Sequence, residues 1–266
     1  MFTIIQTLVF GIIQGIAEFL PISSSAHLVL VPYLFNWQYR GLEFDVALHF
    51  GTAIAVIAFF WRDWVKIFHN AFSPKSATDE TYPKNLLWQI VVATIPAAIA
   101  GMILSSYIED CFHSPLLLAI NLAVFGLLLW LVDLKAGKEK QTANISFANS
   151  LLVGFAQVFA LIPGVSRSGI TVLAARSLGL PREKAARFSF LIGTPATLGA
   201  FLVEFPKIFK THLGLEFFLG IIVSAITGYL AIKYLLAYLA KSDFKIFFIY
   251  RLLLAVIVIL IFLARL

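Results

Sequence analysis

The chain is poor in charge and nearly devoid of cysteine. Lys, Arg, Asp and Glu make up 13% of its 266 residues, about half of what a soluble domain of ordinary composition carries. The single Cys111 excludes an intramolecular disulfide and any cysteine-based metal site. The first twenty residues have no basic stretch and no small-residue cleavage site, and they contain Gln14 and Glu18. They are expected to be mature structure and not a signal peptide. Lys and Arg exceed Asp and Glu to give +6, yet no basic soluble face is long enough to engage nucleic acid.

In place of charge there is apolar bulk. Hydrophobic residues are 61% of the chain and the mean hydropathy is +0.93. The apolar runs are continuous and lack the period-2 alternation of a transmembrane barrel. The composition therefore defines an all-α polytopic membrane protein, a single integral membrane domain over residues 1–266.

Six stretches read as full spans: 44–61, 86–104, 116–132, 188–203, 215–239 and 246–263. Between the first two lies a polar loop with Arg62, Lys66, Lys75 and Lys84. Arg182, Lys184 and Arg187 precede the fourth span. Two other apolar stretches are interrupted. Residues 4–20 break at Pro21 and resume over about 28–35. Residues 147–162 break at Pro163-Gly164 and resume over 170–180. None of these pieces alone meets the ~20 residues that cross a bilayer. Two half-helices joined by a polar loop make a re-entrant hairpin, permitted where the loop is buried in protein or lines a wet cavity; one spanning helix followed by an interfacial helix is the alternative.

An internal repeat links the two breaks. Pro21 and Pro163, Ser24 and Ser166, Gly51 and Gly193, and Thr52 and Thr194 all lie 142 positions apart. Repeat one covers about 1–61 and repeat two about 147–203, with extra spans in 86–132 and 215–263. Loops at 62–85, 133–146 and 181–187 carry Lys and Arg, whereas the loop at 105–114 carries Glu109 and Asp110. The positive-inside rule places the first three in the cytoplasm and the last outside. That assignment requires residues 147–180 to enter and leave on one side. Three crossings separate the two hairpins, so the repeats have opposite orientation and both polar loops reach the interior. Lys207 and Lys210 fall in a loop that this topology puts outside, against the rule.

Polar groups at depth are costly unless paired, solvated or used. Gln14 and Glu18 stand four apart on one helix face. Their oxygens suit Mg²⁺ or Ca²⁺, completed by waters and substrate phosphates. Ser23, Ser24, Ser25 and His27 follow at the start of a half-helix, where hydroxyls cap and free N–H groups meet an anion. Ser24 and His27 are three apart, in reach for a nucleophile or a water with its base. The second break, Pro163-Gly164-Val165-Ser166-Arg167-Ser168-Gly169, sets a guanidinium among serines and glycines, a fit for phosphate oxygens. Together these groups are the set that phosphoryl transfer requires. Inverted repeats with broken helices also mark secondary transporters, so a transporter or flippase of a phospho-isoprenoid lipid is the alternative.

The motifs Gln14-x-x-x-Glu18, Pro21-Ile22-Ser23-Ser24-Ser25-Ala26-His27 and Pro163 to Gly169 resemble those of the bacterial undecaprenyl-diphosphate phosphatase family, also called bacitracin-resistance proteins. The likeness extends over essentially the whole chain, including Tyr250-Arg251 at the opening of the last span. It implies a divalent-metal-dependent hydrolase in the bacterial inner membrane, with its site toward the outer face. Such an enzyme removes the terminal phosphate of undecaprenyl diphosphate and recycles the carrier for peptidoglycan synthesis. Glu18, Ser24, His27 and Arg167 match the family's essential positions. Ser23, Ser25, Ser166 and Ser168 are further phosphate-binding candidates, and Glu18 with Gln14 the metal candidates. Gln14 departs from the family pattern, where Glu is frequent. The partners implied are the substrate and membrane lipid, with a homodimer left open.

Other polar residues receive weaker assignments. Asp45 and Arg187 also lie 142 apart, so a pair across the pseudo-symmetry axis is one reading. Arg251 reads as an interfacial anchor or a helix-end partner. His49, His69, His113 and His212 have no convergent partners in the sequence. Trp37, Trp61, Trp64 and Trp88 fall near span ends, where aromatic belts sit.

Overall fold

The computed structural model describes residues 4–73, 82–111, 114–136, 145–208 and 214–265. All regular structure among them is helical. In chain order the helices are α1 (Ile4–Phe19), α2 (Ser24–Phe35), α3 (Leu42–Phe59), α4 (Trp61–Phe72), α5 (Leu86–Cys111) and α6 (Pro115–Ala136), then α7 (Phe147–Val158), α8 (Arg167–Ser177), α9 (Arg182–Ile208), α10 (Leu215–Leu239) and α11 (Lys245–Ala264). Six of them, α3, α5, α6, α9, α10 and α11, are long and apolar enough to cross a membrane. They are the six stretches expected, and the chain is a multi-pass helical membrane protein. His113, His212, Lys75, Lys138, Lys140 and Lys210, and the side chains of Lys207, Glu109, Asp110 and Cys111, lie outside the described residues.

Several helices run past the expected boundaries, and two of the differences bear on polar residues. Residues 62–72, expected as polar loop, lie in the amphipathic helix α4. It buries Ile67, Asn70 and Ala71, and Asn70 Nδ2 donates to the Tyr82 carbonyl at 2.8 Å. Arg182, Lys184 and Arg187, placed in a loop before the fourth span, lie in the first turns of α9. Of the two readings of Asp45 and Arg187, a pair or separate placement, the contacts found fit separate placement. Arg187 pairs with Asp63 on α4, and Asp45 accepts from the Tyr39 hydroxyl at 2.8 Å. Tyr82 also donates to Asp63 at 2.6 Å, and its burial, with that carboxylate beside it, pushes the phenol up to about 12.

Helix packing brings distant parts of the chain together. α10 lies against both α1 and α3, α5 against α7 and α9, and α6 against α11 and α8. The main core gathers Phe19, Phe60, Phe190 and Ile192, with Phe19 and Phe190 edge to face at 5.3 Å between centroids. Interior contacts between helices use small residues, as when Gly154 of α7 meets the Ala93 backbone of α5. Such approaches let helices associate in lipid, where no hydrophobic force separates protein from solvent.

The two breaks share one local build. Ser23 (φ 72°) and Ser166 (φ 77°) both adopt positive φ, which is uncommon outside glycine. Each caps the helix that follows: Ser23 Oγ accepts from Ala26 N–H at 3.4 Å and Ser166 Oγ from Gly169 N–H at 3.1 Å. Each also bonds a hydroxyl two residues on, Ser25 at 3.3 Å and Ser168 at 3.2 Å. The local match therefore aligns Ser23 with Ser166, one position off the 142-residue offset, and so sets Ser24 opposite Arg167. Both are the first residue of their helix.

Candidate active site

α1 delivers Glu18 to the junction of the two breaks, with its carboxylate buried at 7% exposure. Each of its oxygens takes a group from a different break. Oε1 pairs with the Arg167 guanidinium, and Oε2 accepts from Ser24 Oγ at 2.6 Å. Gln14 Nε2, one turn back on α1, donates to the same Oε2 at 3.1 Å. A carboxylate in this setting is held charged by its partners, because an isolated buried charge would be far too costly.

Arg167 is fixed from behind by α9. Its Nη1 donates to the Gly193 carbonyl at 2.7 Å and to Thr197 Oγ1. Gly193 is required by space: a Cβ there would lie 2.9 Å from Cζ and Nη1 of Arg167. Among the described residues, the Nε–H and one Nη2–H of Arg167 remain for an incoming anion, and the side chain is 24% exposed. Ser24 and Arg167 are the first residues of α2 and α8, so both half-helices begin at this locus.

The two breaks are also tied to each other directly. Ser168 Oγ donates to the Leu20 carbonyl at 3.2 Å. Arg251, read from sequence as an interfacial anchor or a helix-end partner, is wholly buried. It donates to the carbonyls of Pro21 at 3.2 Å, Gly164 at 2.9 Å and Val165 at 3.2 Å, and to Leu122 and Asn121 of α6 at 2.8 and 3.1 Å. A planar guanidinium with five N–H donors is the side chain suited to gather so many carbonyls. Gly164, at φ +91°, supplies the turn that presents one of them.

The residues expected from sequence converge in part. Glu18, Gln14, Ser24 and Arg167 meet. His27 does not reach Ser24: its Nδ1 lies 2.7 Å from the Ser23 carbonyl and its Nε2 2.7 Å from the Tyr250 hydroxyl, with the two rings stacked at 5.7 Å. A carbonyl only accepts, so Nδ1 carries the proton and Nε2 accepts from tyrosine. Both nitrogens are thus committed to holding the first break. Ser23, Ser25, Ser166 and Ser168 serve in the caps and hydroxyl pairs described above.

His49 of α3, set aside in the sequence, is at the site. Its Nε2 is 3.5 Å from Glu18 Oε2. Its only sequence cue was adjacency to the repeat positions Gly51 and Thr52. Thr197 carried no cue, and Gly193 and Tyr250 stood out in the sequence only as a repeat position and as part of the family likeness.

A divalent cation, implied by the family resemblance, meets a limited donor set. Among the described residues no three His, Cys, Asp or Glu side chains cluster for one. Glu18 does offer a carboxylate beside the Gln14 amide, whose buried Oε1 has no partner. One carboxylate with neutral oxygens fits Mg²⁺ or Ca²⁺ when substrate phosphates complete the shell, not as a closed protein cage.

Six helices long and apolar enough to cross a membrane, with a buried carboxylate joined to a serine and an arginine from two other helices, define a polytopic helical membrane protein. The chain belongs to the bacitracin resistance protein BacA family, whose family model matches residues 7–257. It is 48% identical over 263 residues to an undecaprenyl-diphosphatase of Pelotomaculum thermopropionicum, covering 99% of this chain and 98% of the relative. It is 43% identical over 263 residues to an undecaprenyl-diphosphatase of Moorella thermoacetica, covering 99% of both. A Desulforudis audaxviator protein of the same name is 45% identical over 260 residues, covering 98% of both.

Proposed function

We propose that this protein hydrolyses undecaprenyl diphosphate to undecaprenyl phosphate and inorganic phosphate, recycling the lipid carrier for peptidoglycan synthesis and conferring bacitracin resistance. The observation that carries the reading is the Glu18 carboxylate, bonded at once to Ser24 and Arg167, in a chain nearly half identical over its full length to a relative named for this activity.

Arg167 binds the terminal phosphate through its remaining N–H groups, aided by the N-terminal turns of α2 and α8. Ser24 Oγ forms a bond to the terminal phosphorus while the bridging P–O bond breaks and undecaprenyl phosphate leaves. The hydroxyl proton passes to Glu18, its hydrogen-bond partner at 2.6 Å. Water then cleaves the serine ester, releasing phosphate and restoring the hydroxyl. A water held by Ser24 in the same place would give the same products. His27 and Tyr250 hold the first break in position. Glu18, with the Gln14 carbonyl, would hold Mg²⁺ or Ca²⁺. Such an ion supplies charge neutralisation at the diphosphate.

Purified protein in detergent should release phosphate from undecaprenyl diphosphate, lose that activity in EDTA and recover it with Mg²⁺ or Ca²⁺. A protein inert in this assay that moves phospho-isoprenoid lipid across a liposome bilayer would establish the transport reading instead.

In this reading the two broken segments are re-entrant hairpins of an inverted repeat in the bacterial inner membrane, with the site open toward the outer face. Helix lengths support it. α1, α2, α7 and α8 have 16, 12, 12 and 11 residues, so the longest reaches about 24 Å at 1.5 Å per residue. That is short of the ~30 Å hydrocarbon core. Cysteines replacing Gln38, past α2, and Ser177, at the end of α8, in a Cys111→Ser background should label from opposite sides of sealed vesicles. Both positions are exposed. Labelling of both from one side would rule out the inverted arrangement.

A further inference from the structure

We infer that His49 belongs to the cation site, so that Gln14, Glu18 and His49 form an oxygen, oxygen and nitrogen donor set that prefers an ion of Mn²⁺ type over Ca²⁺. This rests on the preceding reading that Glu18 holds a divalent ion. His49 Nδ1 lies 2.7 Å from the Asp45 carbonyl one turn earlier on α3. Because a carbonyl only accepts, Nδ1 bears the hydrogen, so a ring without a second proton presents its lone pair at Nε2. That lone pair faces Glu18 Oε2 at 3.5 Å. Two acceptors directed at each other require something positive between them.

Gln14 adds an independent observation. It is fully buried, its Nε2 sits 3.1 Å from the same Glu18 oxygen, and its Oε1 has no partner. Turning the amide over, a change that heavy-atom positions do not distinguish, places the carbonyl oxygen where the nitrogen now stands. Glu18 Oε2 then has an oxygen at 3.1 Å and an imidazole nitrogen at 3.5 Å. Donors that share one ion at about 2.1 Å lie roughly 3.0–3.4 Å from one another. A histidine that gives its other N–H to a backbone carbonyl is also the usual arrangement of a metal-bound imidazole. The His49 side chain is 31% exposed, which leaves a face through which a hydrated ion enters and substrate phosphates complete the shell.

Ligand type then sets the preference. Carboxylate and amide oxygens accept Mg²⁺, Ca²⁺ or Mn²⁺, whereas an imidazole favours transition ions over Ca²⁺. The competing occupant of the gap is a proton, which would make His49 an imidazolium paired with Glu18. Only the metal arrangement predicts a nitrogen bound to the ion.

The test is direct binding of Mn²⁺ to the substrate-free, detergent-purified protein, by calorimetry and by electron paramagnetic resonance with nitrogen hyperfine detection, with Ca²⁺ as the comparison. The wild type should bind Mn²⁺ more tightly than Ca²⁺ and show coupling to one imidazole nitrogen. His49→Ala should lose about 10–100-fold in Mn²⁺ affinity, lose the coupling, and keep most of its Ca²⁺ affinity. His49→Gln, which keeps a polar side chain but no imidazole, should behave alike and stands in if the alanine variant does not fold. Unchanged Mn²⁺ affinity in these variants, or no nitrogen coupling in the wild type, overturns the role of His49 while leaving Glu18 as a ligand. No Mn²⁺ binding by the wild type, or equal binding by Glu18→Gln, overturns the Glu18 cation reading and this inference with it.

Discussion

Glu18 joins a hydroxyl from one break to a guanidinium from the other, so the loss of either partner should be read at the chemical step. Arg167→Ala should lower kcat/KM for undecaprenyl diphosphate by at least about 10²–10³-fold, the usual effect of removing one preorganised donor from a transition-state site. Arg167→Lys should recover little, because an ammonium cannot bond Glu18, Gly193, Thr197 and a phosphate from one planar fork. Ser24→Ala should match the arginine loss, with protein levels unchanged, since Ser24 is only half-buried. Tyr250→Phe, by contrast, removes a single hydrogen bond to His27 and should cost about 1 kcal/mol of stability, with a smaller fall in rate. Glu18, Ser24 and Arg167 were legible in the sequence because each is a polar group in a stretch where hydrocarbon would penalise it. His49 was not. Its spacing from Asp45 reveals only a helix turn, and nothing local indicates that α3 crosses the end of α1. The surroundings of His27 were hidden for a related reason: three-residue spacing sets it near Ser24 in sequence, and nothing local shows that Tyr250 and the Ser23 carbonyl bond its two nitrogens.

The helices explain why two loops of such different composition make one site. Proline and glycine end α1 and the 147–162 segment, and the serine caps restart the chain as α2 and α8 with Ser24 and Arg167 in matching first positions. That much could be read from Pro21, Pro163 and the serines. The one-residue shift between the sequence offset and the local match could not, because it depends on which serine takes positive φ. The role of α9 was equally hidden. Its Gly193 marked a repeat, yet its use is to leave room for the Arg167 guanidinium. Gly193→Ala should therefore push Arg167 off Glu18 and cut phosphate release by tenfold or more, on the scale of about 1.4 kcal/mol for each factor of ten. Unfolding of the variant should change much less, since alanine raises helix propensity. Gly199→Ala, on the same helix with nothing within 4 Å of the added carbon, is the control. It should leave activity intact and stabilise by up to about 1 kcal/mol. Equal loss of activity in both variants would mean that α9, and not the space beside Arg167, is what matters. The helix α4 was missed because its charges resemble a loop when read in order. Only the face holding Ile67, Asn70 and Ala71 against the protein shows why it folds.

At the scale of the whole molecule, the last span holds the two breaks together. Arg251 comes from α11 and reaches Pro21 in the first break, Gly164 and Val165 in the second, and two carbonyls of α6. Its sequence context, at the opening of an apolar run, suggested an anchor at the bilayer surface. Every acceptor is a backbone carbonyl, which no sequence pattern marks, so the role becomes visible only when the fold is assembled. A break has carbonyls without helical partners, and each one buried unsatisfied costs about 1–3 kcal/mol. Arg251→Met keeps the length and removes all five donors. It should destabilise the protein by about 3 kcal/mol or more, measured as a lowered midpoint in detergent unfolding, and phosphate release should fall with it as the loops holding Ser24 and Arg167 separate. Arg251→Lys should restore part of the stability and less of the activity, because three ammonium donors cannot address both breaks and α6 together. Arg265, at the other end of the same helix, makes one exposed bond to the Tyr33 carbonyl. Its alanine variant should lie within about 0.5 kcal/mol of wild type. If Arg251→Met retained full stability while losing activity, Arg251 would be a direct phosphate ligand and the junction of the two breaks would hold without it.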